Sequence, residues 1–137
     1  MDYVFQAGSP NRMAGDQATI LVVEDERIML RLLGKFLSGQ GYRVLAADNG
    51  EQAIESYCRH KMEIDLVLLD LDLPKVKGVD VFHKMKSENP DARVVVTSGY
   101  IEPRMKAEML RAGVKHFVTK PYRLPDMIET LRIVAER

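Results

Sequence analysis

The sequence contains 137 residues, of which 46% are hydrophobic and 29% are charged, a composition typical of one folded domain. Its 20 basic and 20 acidic residues balance, so no overall field attracts nucleic acid or an anionic membrane. The single cysteine, Cys58, excludes an internal disulfide and a cysteine-based zinc site. Because no apolar run approaches the roughly 20 residues of a membrane span and no signal peptide is evident, we expect a soluble, cytoplasmic protein.

The chain begins with a segment that lacks periodicity. Residues 1–16 are rich in turn-forming residues and predict a flexible lead or linker, followed by one domain over 17–137. Five short apolar runs predict strands, at 19–23, 42–46, 66–69, 93–96 and 116–118. The first, third and fourth runs are continuously apolar, which is typical of parallel strands covered on both faces.

A helical pattern, with apolar residues three and four positions apart, follows each predicted strand. Strands that alternate with helices predict an α/β fold, a doubly wound parallel sheet with five strand–helix units. Ligands of such folds bind outside the carboxyl ends of the strands. The residues that follow each strand are therefore the first candidates for a functional site.

Acidic residues follow the first and third predicted strands, with Glu24 and Asp25 after the first and Asp70 after the third. If these strands are neighbours, the three carboxylates repel one another, which raises a pKa or recruits a cation. Oxygen ligands with room for water suit Mg²⁺. Thr97 ends the fourth strand and Lys120 follows the fifth, so a hydroxyl and an ammonium join the same edge.

This set of groups suits the transfer of a phosphoryl group. A cation and Lys120 would balance the charge on the phosphoryl oxygens, and Thr97 would supply a hydroxyl. Asp70 is the natural nucleophile, because it is central and a carboxylate can form an aspartyl-phosphate. The three histidines are scattered and offer no paired general base, at positions His60, His83 and His116.

Four segments carry a specific resemblance. They are ILVVEDE at 20–26, DLVLLDLDLP at 65–74 with Gly78 four residues on, VVVTSGY at 94–100 and FVTKPY at 117–122. In this order and spacing, the chain resembles a receiver domain of the two-component response regulators. The resemblance covers about residues 19–135. It implies a flavodoxin-like, chemotaxis-regulator-like (βα)5 fold with strand order 2-1-3-4-5.

The resemblance also implies roles for the residues at the strand ends. Asp70 would accept a phosphoryl group from a histidine kinase or histidine phosphotransfer protein. Mg²⁺ would be bound by the carboxylates of Asp25 and Asp70, by the backbone carbonyl of Asp72 and by Glu24 through a water. Lys120 would pair with the phosphoryl group and precede a Lys-Pro bond that is often cis. The switch residues would be Thr97 and Phe117.

Five positions depart from the commonest pattern of the family. Glu24 replaces a more usual Asp, and Phe117 stands where many members have Tyr and so lacks its hydroxyl. Lys75 and Lys77 occupy a loop in which Gly or an acidic residue is frequent. Gly99 leaves the position two residues after Thr97 without a side chain. In the family, this position and that of Asp72 affect how fast phosphate is lost, so the resemblance does not define the lifetime of the phosphate.

Two other functions fit parts of the sequence. Residues 66–72 also resemble the strand and DxD motif of haloacid-dehalogenase-like phosphatases, although that family places the motif after its first strand. The second alternative is a phosphorylation-independent interaction module, but such modules usually lack the Asp, the Lys or the acidic pair. We expect no enzyme activity beyond self-phosphorylation from a phosphodonor and autodephosphorylation.

The resemblance implies that output runs through the last two helices and the fifth strand, around 105–112, 116–117 and 126–134. A homodimer through this face is one expectation, and direct binding to nucleic acid by this domain is not expected. A stand-alone regulator, a longer response regulator and a hybrid histidine kinase all fit the sequence, with a preference for the receiver of a hybrid kinase.

Overall fold

A computed structural model describes residues 3–5 and 18–136 of the chain. It contains six strands, β1 (Tyr3–Phe5), β2 (Thr19–Val23), β3 (Arg43–Ala47), β4 (Leu66–Asp70), β5 (Val94–Ser98) and β6 (Val114–Thr119). The five helices are α1 (Arg27–Gly39), α2 (Gly50–His60), α3 (Gly78–Glu88), α4 (Pro103–Arg111) and α5 (Leu124–Ala135). None of these helices is long and apolar enough to span a bilayer.

The sheet confirms the predicted doubly wound topology. Its order is β1-β3-β2-β4-β5-β6, and all pairings from β3 to β6 are parallel. The five predicted strands therefore lie in the order 2-1-3-4-5. The chain crosses from one side of the sheet to the other between β3 and β4, which places the topological switch beside β2 and β4.

One strand was not predicted from the sequence. Tyr3–Phe5 pairs antiparallel with β3, with Tyr3 opposite Ala46 and Phe5 opposite Val44. The run of three β-forming residues is too short to show an alternating pattern, and its pairing with β3 depends on tertiary structure. The rest of the expected lead, within residues 1–16, lies outside the described residues.

The two faces of the sheet are covered by different helices. Leu21 and Val23 point into a core with α2, α3 and α4, in which Phe82 is fully buried. Ile20 and Val22 point into the opposite core with α1 and α5. Burial on both faces explains why β2, β4 and β5 are continuously apolar in sequence, with every residue of each strand buried.

The loop after β4 is fixed tightly against the start of α3. A Cβ added to Gly78 would lie 2.5 Å from the Leu71 Cα and 2.8 Å from the Asp70 carbonyl oxygen, so a larger residue would displace this loop. Lys75, in the same loop, has φ of 64°, a left-handed conformation that favours glycine. The close approach of this loop to α3 therefore requires a glycine at position 78, and the loop includes a lysine in a strained backbone conformation.

The N-terminus of α3 lacks a side-chain cap. Lys77 has the extended backbone of an N-cap but makes no cap hydrogen bond, whereas the Asn49 side chain caps α2 by accepting a 2.9 Å bond from the Gln52 N–H. We predict that Lys77→Asn raises the free energy of unfolding by about 1 kcal/mol, because an Asn side chain at the N-cap can accept a hydrogen bond from an N–H of the first turn.

Urea denaturation of Lys77→Asn beside Lys77→Gln tests this prediction. The Gln variant also removes the charge, but its longer side chain is a poor cap. If both variants change the unfolding midpoint equally, charge rather than capping is responsible and the prediction is wrong.

Candidate functional site

Backbone hydrogen bonds hold the predicted site residues at the carboxyl edge of the sheet. The Glu24 N–H donates to the Ala47 carbonyl over 3.1 Å, and the Lys120 N–H donates to the Ser98 carbonyl over 2.9 Å. Asp70 is the last residue of β4 and pairs with Thr97 in the register of β5. These bonds extend the parallel pairing to the strand ends, so side chains distant in sequence meet there.

The carboxylates that the sequence predicts to converge do so. Glu24, Asp25 and Asp70 each place an oxygen within 4.8 Å of the others. Glu24 and Asp70 are 4% and 1% exposed, and Asp25 is the most accessible of the three. Burial weakens the screening that water gives to exposed charges, so this cluster needs a positive charge beside it.

Lys120 supplies that positive charge. Its Nζ lies 2.9 Å from Asp70 Oδ2 and 3.7 Å from Asp72 Oδ2. Burial of the ammonium acts to lower the pKa of Lys120, but the close ion pair with Asp70, together with the charges of Glu24 and Asp72, raises the pKa overall. Lys120 is therefore charged and oriented toward Asp70.

Glu24 titrates far from its usual range. Burial is the main cause that raises its pKa to about 7, with repulsion from Asp70 adding to it. The Glu26 N–H, 3.1 Å from Glu24 Oε2, and the charge of Lys120 oppose this rise. Near neutral pH, Glu24 therefore exists in both protonated and ionised forms.

The oxygen atoms at this edge suit a hard divalent cation. Asp70 Oδ1 accepts a 2.8 Å hydrogen bond from the Asp72 N–H. Asp70 Oδ2 is buried and accepts no well-aligned hydrogen bond from the described residues, although the Lys120 ammonium lies close by. An under-satisfied buried carboxylate oxygen beside Glu24 and Asp25 fits the oxygen-rich coordination of Mg²⁺.

The two predicted switch residues lie on β5 and β6, and Thr97 pairs with Asp70 in the register of β4 and β5. Thr97 is 2% exposed at the end of β5, and Phe117 is partly buried on β6, where it pairs with Val96. The Lys106 ammonium of α4 lies 5.6 Å from the centre of the Phe117 ring, within the range of a cation–π contact. This contact was not predicted, because only the fold brings α4 against β6.

The structure also gives Asp72 contacts that sequence reasoning missed. Its carboxylate accepts a 2.9 Å hydrogen bond from the Gly99 N–H and lies 3.3 Å from the Ser98 hydroxyl. From the sequence, Asp72 was expected to bind Mg²⁺ through its backbone carbonyl and to affect the lifetime of the phosphate, but no contact with Ser98 or Gly99 was predicted. Nothing in the local sequence marks the side-chain contact, because the two loops are 26 or 27 residues apart. The Lys120–Pro121 peptide bond is cis, as the resemblance implies is common.

The fold and this site define a class, doubly wound α/β domains with a lysine-balanced acidic pocket at the carboxyl ends of the strands. The family model of the response regulator receiver domain matches residues 20–132. The chain therefore belongs to the response regulator receiver family of two-component signalling.

Known relatives support this membership. The chemotaxis protein CheY of Thermotoga maritima is 30% identical over 118 residues, which cover 85% of this chain and 97% of CheY. The probable transcriptional regulatory protein TcrX of Mycobacterium tuberculosis is 32% identical over 126 residues, or 92% of this chain and 53% of TcrX. The chain thus spans about half of TcrX, and it spans 28% of a matching cyclic di-GMP phosphodiesterase of T. maritima.

Solved structures agree with the fold. The non-phosphorylated HemR receiver domain of Leptospira biflexa has a TM-score of 0.83 and 26% identity, with 88% of this chain and 96% of that chain covered. The CheY of a CheX-CheY-BeF3-Mg²⁺ complex from Borrelia burgdorferi has a TM-score of 0.79 and 25% identity, with 85% and 88% covered.

Family membership defines the general activity. Receiver domains are typically non-enzymatic signalling domains that interact with histidine kinases or other phosphodonors. They bind Mg²⁺ at an acidic pocket, and Glu24, Asp25 and Asp70 form such a cluster here. Asp70 ends the third parallel strand, whereas the phosphatase alternative expects its DxD motif after the first strand.

The raised pKa of Glu24 predicts a specific pH dependence of stability. The unfolded carboxyl titrates near 4.5 and the folded one near 7, so the free energy of unfolding falls as pH rises between these values. Glu24→Gln removes this loss. In metal-free buffer, we expect its stability relative to the wild type to rise by on the order of 1 kcal/mol from pH 5 to pH 8, after allowance for solvent screening.

Urea unfolding at both pH values measures this change, with Glu108→Gln on the exposed side of α4 as the matched control. A Glu24→Gln gain that is equal at pH 5 and pH 8 would contradict the assignment of the raised pKa to Glu24.

Proposed function

We propose that this chain is a phosphoacceptor receiver in which Asp70 takes a phosphoryl group from a phosphohistidine on a histidine kinase or histidine phosphotransfer protein. The observation that carries the proposal is the state of the Asp70 carboxylate. It is 1% exposed, lies close to two other carboxylates and is 2.9 Å from the ammonium of Lys120.

In the proposed transfer, a carboxylate oxygen of Asp70 attacks phosphorus. The phosphorus–nitrogen bond of the donor breaks, and the imidazole leaves with the bonding electron pair and gains a proton. The Asp72 N–H fixes the orientation of the carboxylate through Oδ1. The Lys120 ammonium, already beside Asp70, stabilises the charge on the phosphoryl oxygens and needs no large movement.

The proposed Mg²⁺ site uses the same edge of the sheet. Asp25 and Asp70 would bind the ion through their carboxylates, Asp72 through its backbone carbonyl and Glu24 through a water. The bound ion supplies positive charge that offsets the phosphoryl oxygens. The fit rests on the clustered oxygens and on the under-satisfied Asp70 Oδ2.

We assign the switch to Thr97 and Phe117. The Thr97 hydroxyl would turn toward the phosphoryl group, and the Phe117 ring would fill the space that Thr97 leaves. Because Phe117 has no hydroxyl, its contact with the Lys106 ammonium would couple the ring to α4. This helix buries only Met109, so it has little packing to resist displacement.

The same face is the proposed output surface. Met105 and Leu110 of α4 are 41% and 46% exposed, and a phosphorylation-dependent homodimer through α4, β6 and α5 would cover them. We further propose that the domain serves as the receiver of a hybrid histidine kinase, on the resemblance of residues 97–100 to such receivers. A role within a longer transcriptional regulator, as the name of TcrX describes for that protein, is the alternative.

Intact mass spectrometry tests the proposed function. Incubation with acetyl phosphate and Mg²⁺ should add one phosphoryl group to the wild-type chain and none to Asp70→Asn, because the amide is a poor nucleophile. Asp91→Asn, an exposed position at the opposite edge of the sheet, should be labelled like the wild type. Equal labelling of Asp70→Asn would assign the phosphoryl group elsewhere and overturn the proposal.

Lys120→Ala should slow this labelling by roughly 10²-fold, since removal of a preorganised charge beside a developing anion typically has an effect of that size. The matched variant is Lys115→Ala, an exposed lysine on β6, which should label at the wild-type rate. Circular dichroism confirms that both variants are folded. An unchanged labelling rate in folded Lys120→Ala would remove Lys120 from the proposed mechanism.

A further inference from the structure

The Asp72 carboxylate connects two loops at the mouth of the site. Asp72 lies after β4, and its Oδ2 accepts a 2.9 Å hydrogen bond from the N–H of Gly99, which lies between β5 and α4. Through its own N–H, Asp72 also contacts Asp70 Oδ1 over 2.8 Å. One residue therefore contacts both the proposed phosphoacceptor and the segment that leads into α4.

The bond to Gly99 is the firmest part of this connection. The Ser98 hydroxyl lies 3.3 Å from Asp72 Oδ1 but only 2.8 Å from the Tyr100 carbonyl. A hydroxyl has a single proton to donate, so Ser98 can leave Asp72 and keep a hydrogen bond. The Gly99 N–H has no second acceptor among the described contacts, and its hydrogen bond to a charged carboxylate is of the stronger kind.

Asp72 also competes with Asp70 for one positive charge. The Lys120 Nζ lies 2.9 Å from Asp70 Oδ2 and 3.7 Å from Asp72 Oδ2. The Asp72 side chain is 47% exposed, so solvent weakens its attraction to Lys120. A stronger anion at Asp70 would draw the ammonium away from Asp72.

We propose that Asp72 is an electrostatic latch, which holds the segment between β5 and α4 while Asp70 is unmodified and releases it when Asp70 is phosphorylated. The proposal rests on the proposed phosphoacceptor function. Phosphorylation replaces the single negative charge of the Asp70 carboxylate with up to two on the phosphoryl group, which repels the Asp72 carboxylate and attracts Lys120. Repulsion and the loss of Lys120 then move Asp72 away from Gly99.

Asp72 is thus a positioning residue that acts through Gly99. The segment it holds directly follows Thr97, so release of Gly99 would free the start of α4 to move. This coupling needs no aromatic hydroxyl on β6, where the chain has Phe117. It forms a second connection from Asp70 to α4, separate from the movement of Thr97 and Phe117.

Two substitutions separate the hydrogen bond between Asp72 and Gly99 from the charge of Asp72 that the phosphoryl group would repel. Asp72→Asn keeps an oxygen that can accept from the Gly99 N–H, but it carries no charge for a phosphoryl group to repel. Asp72→Ala removes the acceptor of the Gly99 hydrogen bond altogether. Both retain the backbone carbonyl that we assign to Mg²⁺, and Asp91→Ala serves as an exposed aspartate control.

Amide hydrogen exchange of Gly99, measured by NMR on the full chain, is the test. In the wild type, acetyl phosphate and Mg²⁺ should accelerate exchange by about fivefold to tenfold, the amount that loss of one such hydrogen bond allows. Asp72→Ala should exchange at the faster rate without a phosphodonor. Asp72→Asn should stay slow with the phosphodonor, and Asp91→Ala should behave like the wild type.

The phosphoryl content of each sample is measured by mass in parallel. A sample that takes up no phosphoryl group indicates failure of the proposed function. The comparison of unmodified wild type with Asp72→Ala then still tests whether Asp72 protects the Gly99 N–H. Phosphorylated wild type with unchanged Gly99 exchange overturns the latch alone. Release of Gly99 in phosphorylated Asp72→Asn also overturns it, because the charge of Asp72 would then have no part.

Discussion

Parallel pairing of β2 with β4 forces carboxylates together at one edge of the sheet. Val23 pairs with Leu69, so the residues that come next, Glu24 and Asp70, extend from neighbouring strands side by side. Both are almost completely buried, and Lys120 is the cation placed against them. The two apolar cores hold the strands in this register, so repulsion among the carboxylates cannot relax by strand movement.

This forced arrangement places carboxylates of like charge in a buried site and limits the stability of the fold. Glu24 resists ionisation because it is buried beside Asp70, while Lys120 is shared between Asp70 and Asp72. A divalent cation or a phosphoryl group directly changes the balance between these negative charges and the positive charge of Lys120, since each alters which groups Lys120 must neutralise. Functional sites commonly carry such local strain, which the packed scaffold supports.

The sequence was sufficient to predict the parts of the structure that local chemistry determines. Continuous apolar runs predicted β2, β4 and β5 because both faces of these strands are buried, and strand ends then predicted the meeting of Glu24, Asp25 and Asp70. The edge strand β1 was not predicted, because a run of three residues is too short to show a periodic pattern. Two contacts were also not predicted, those of Asp72 with Gly99 and of Lys106 with the Phe117 ring, because they join segments that only the fold brings together.

Stabilisation by Mg²⁺ tests most directly whether these carboxylates form one cation site. Thermal unfolding of the wild type should shift upward as MgCl₂ increases at constant ionic strength, because a ligand that binds only the folded state stabilises it. Asp25→Asn should lose this shift, since it removes a carboxylate from the cluster without disturbing the buried core. An equal shift in both proteins, or none in the wild type, would contradict the account.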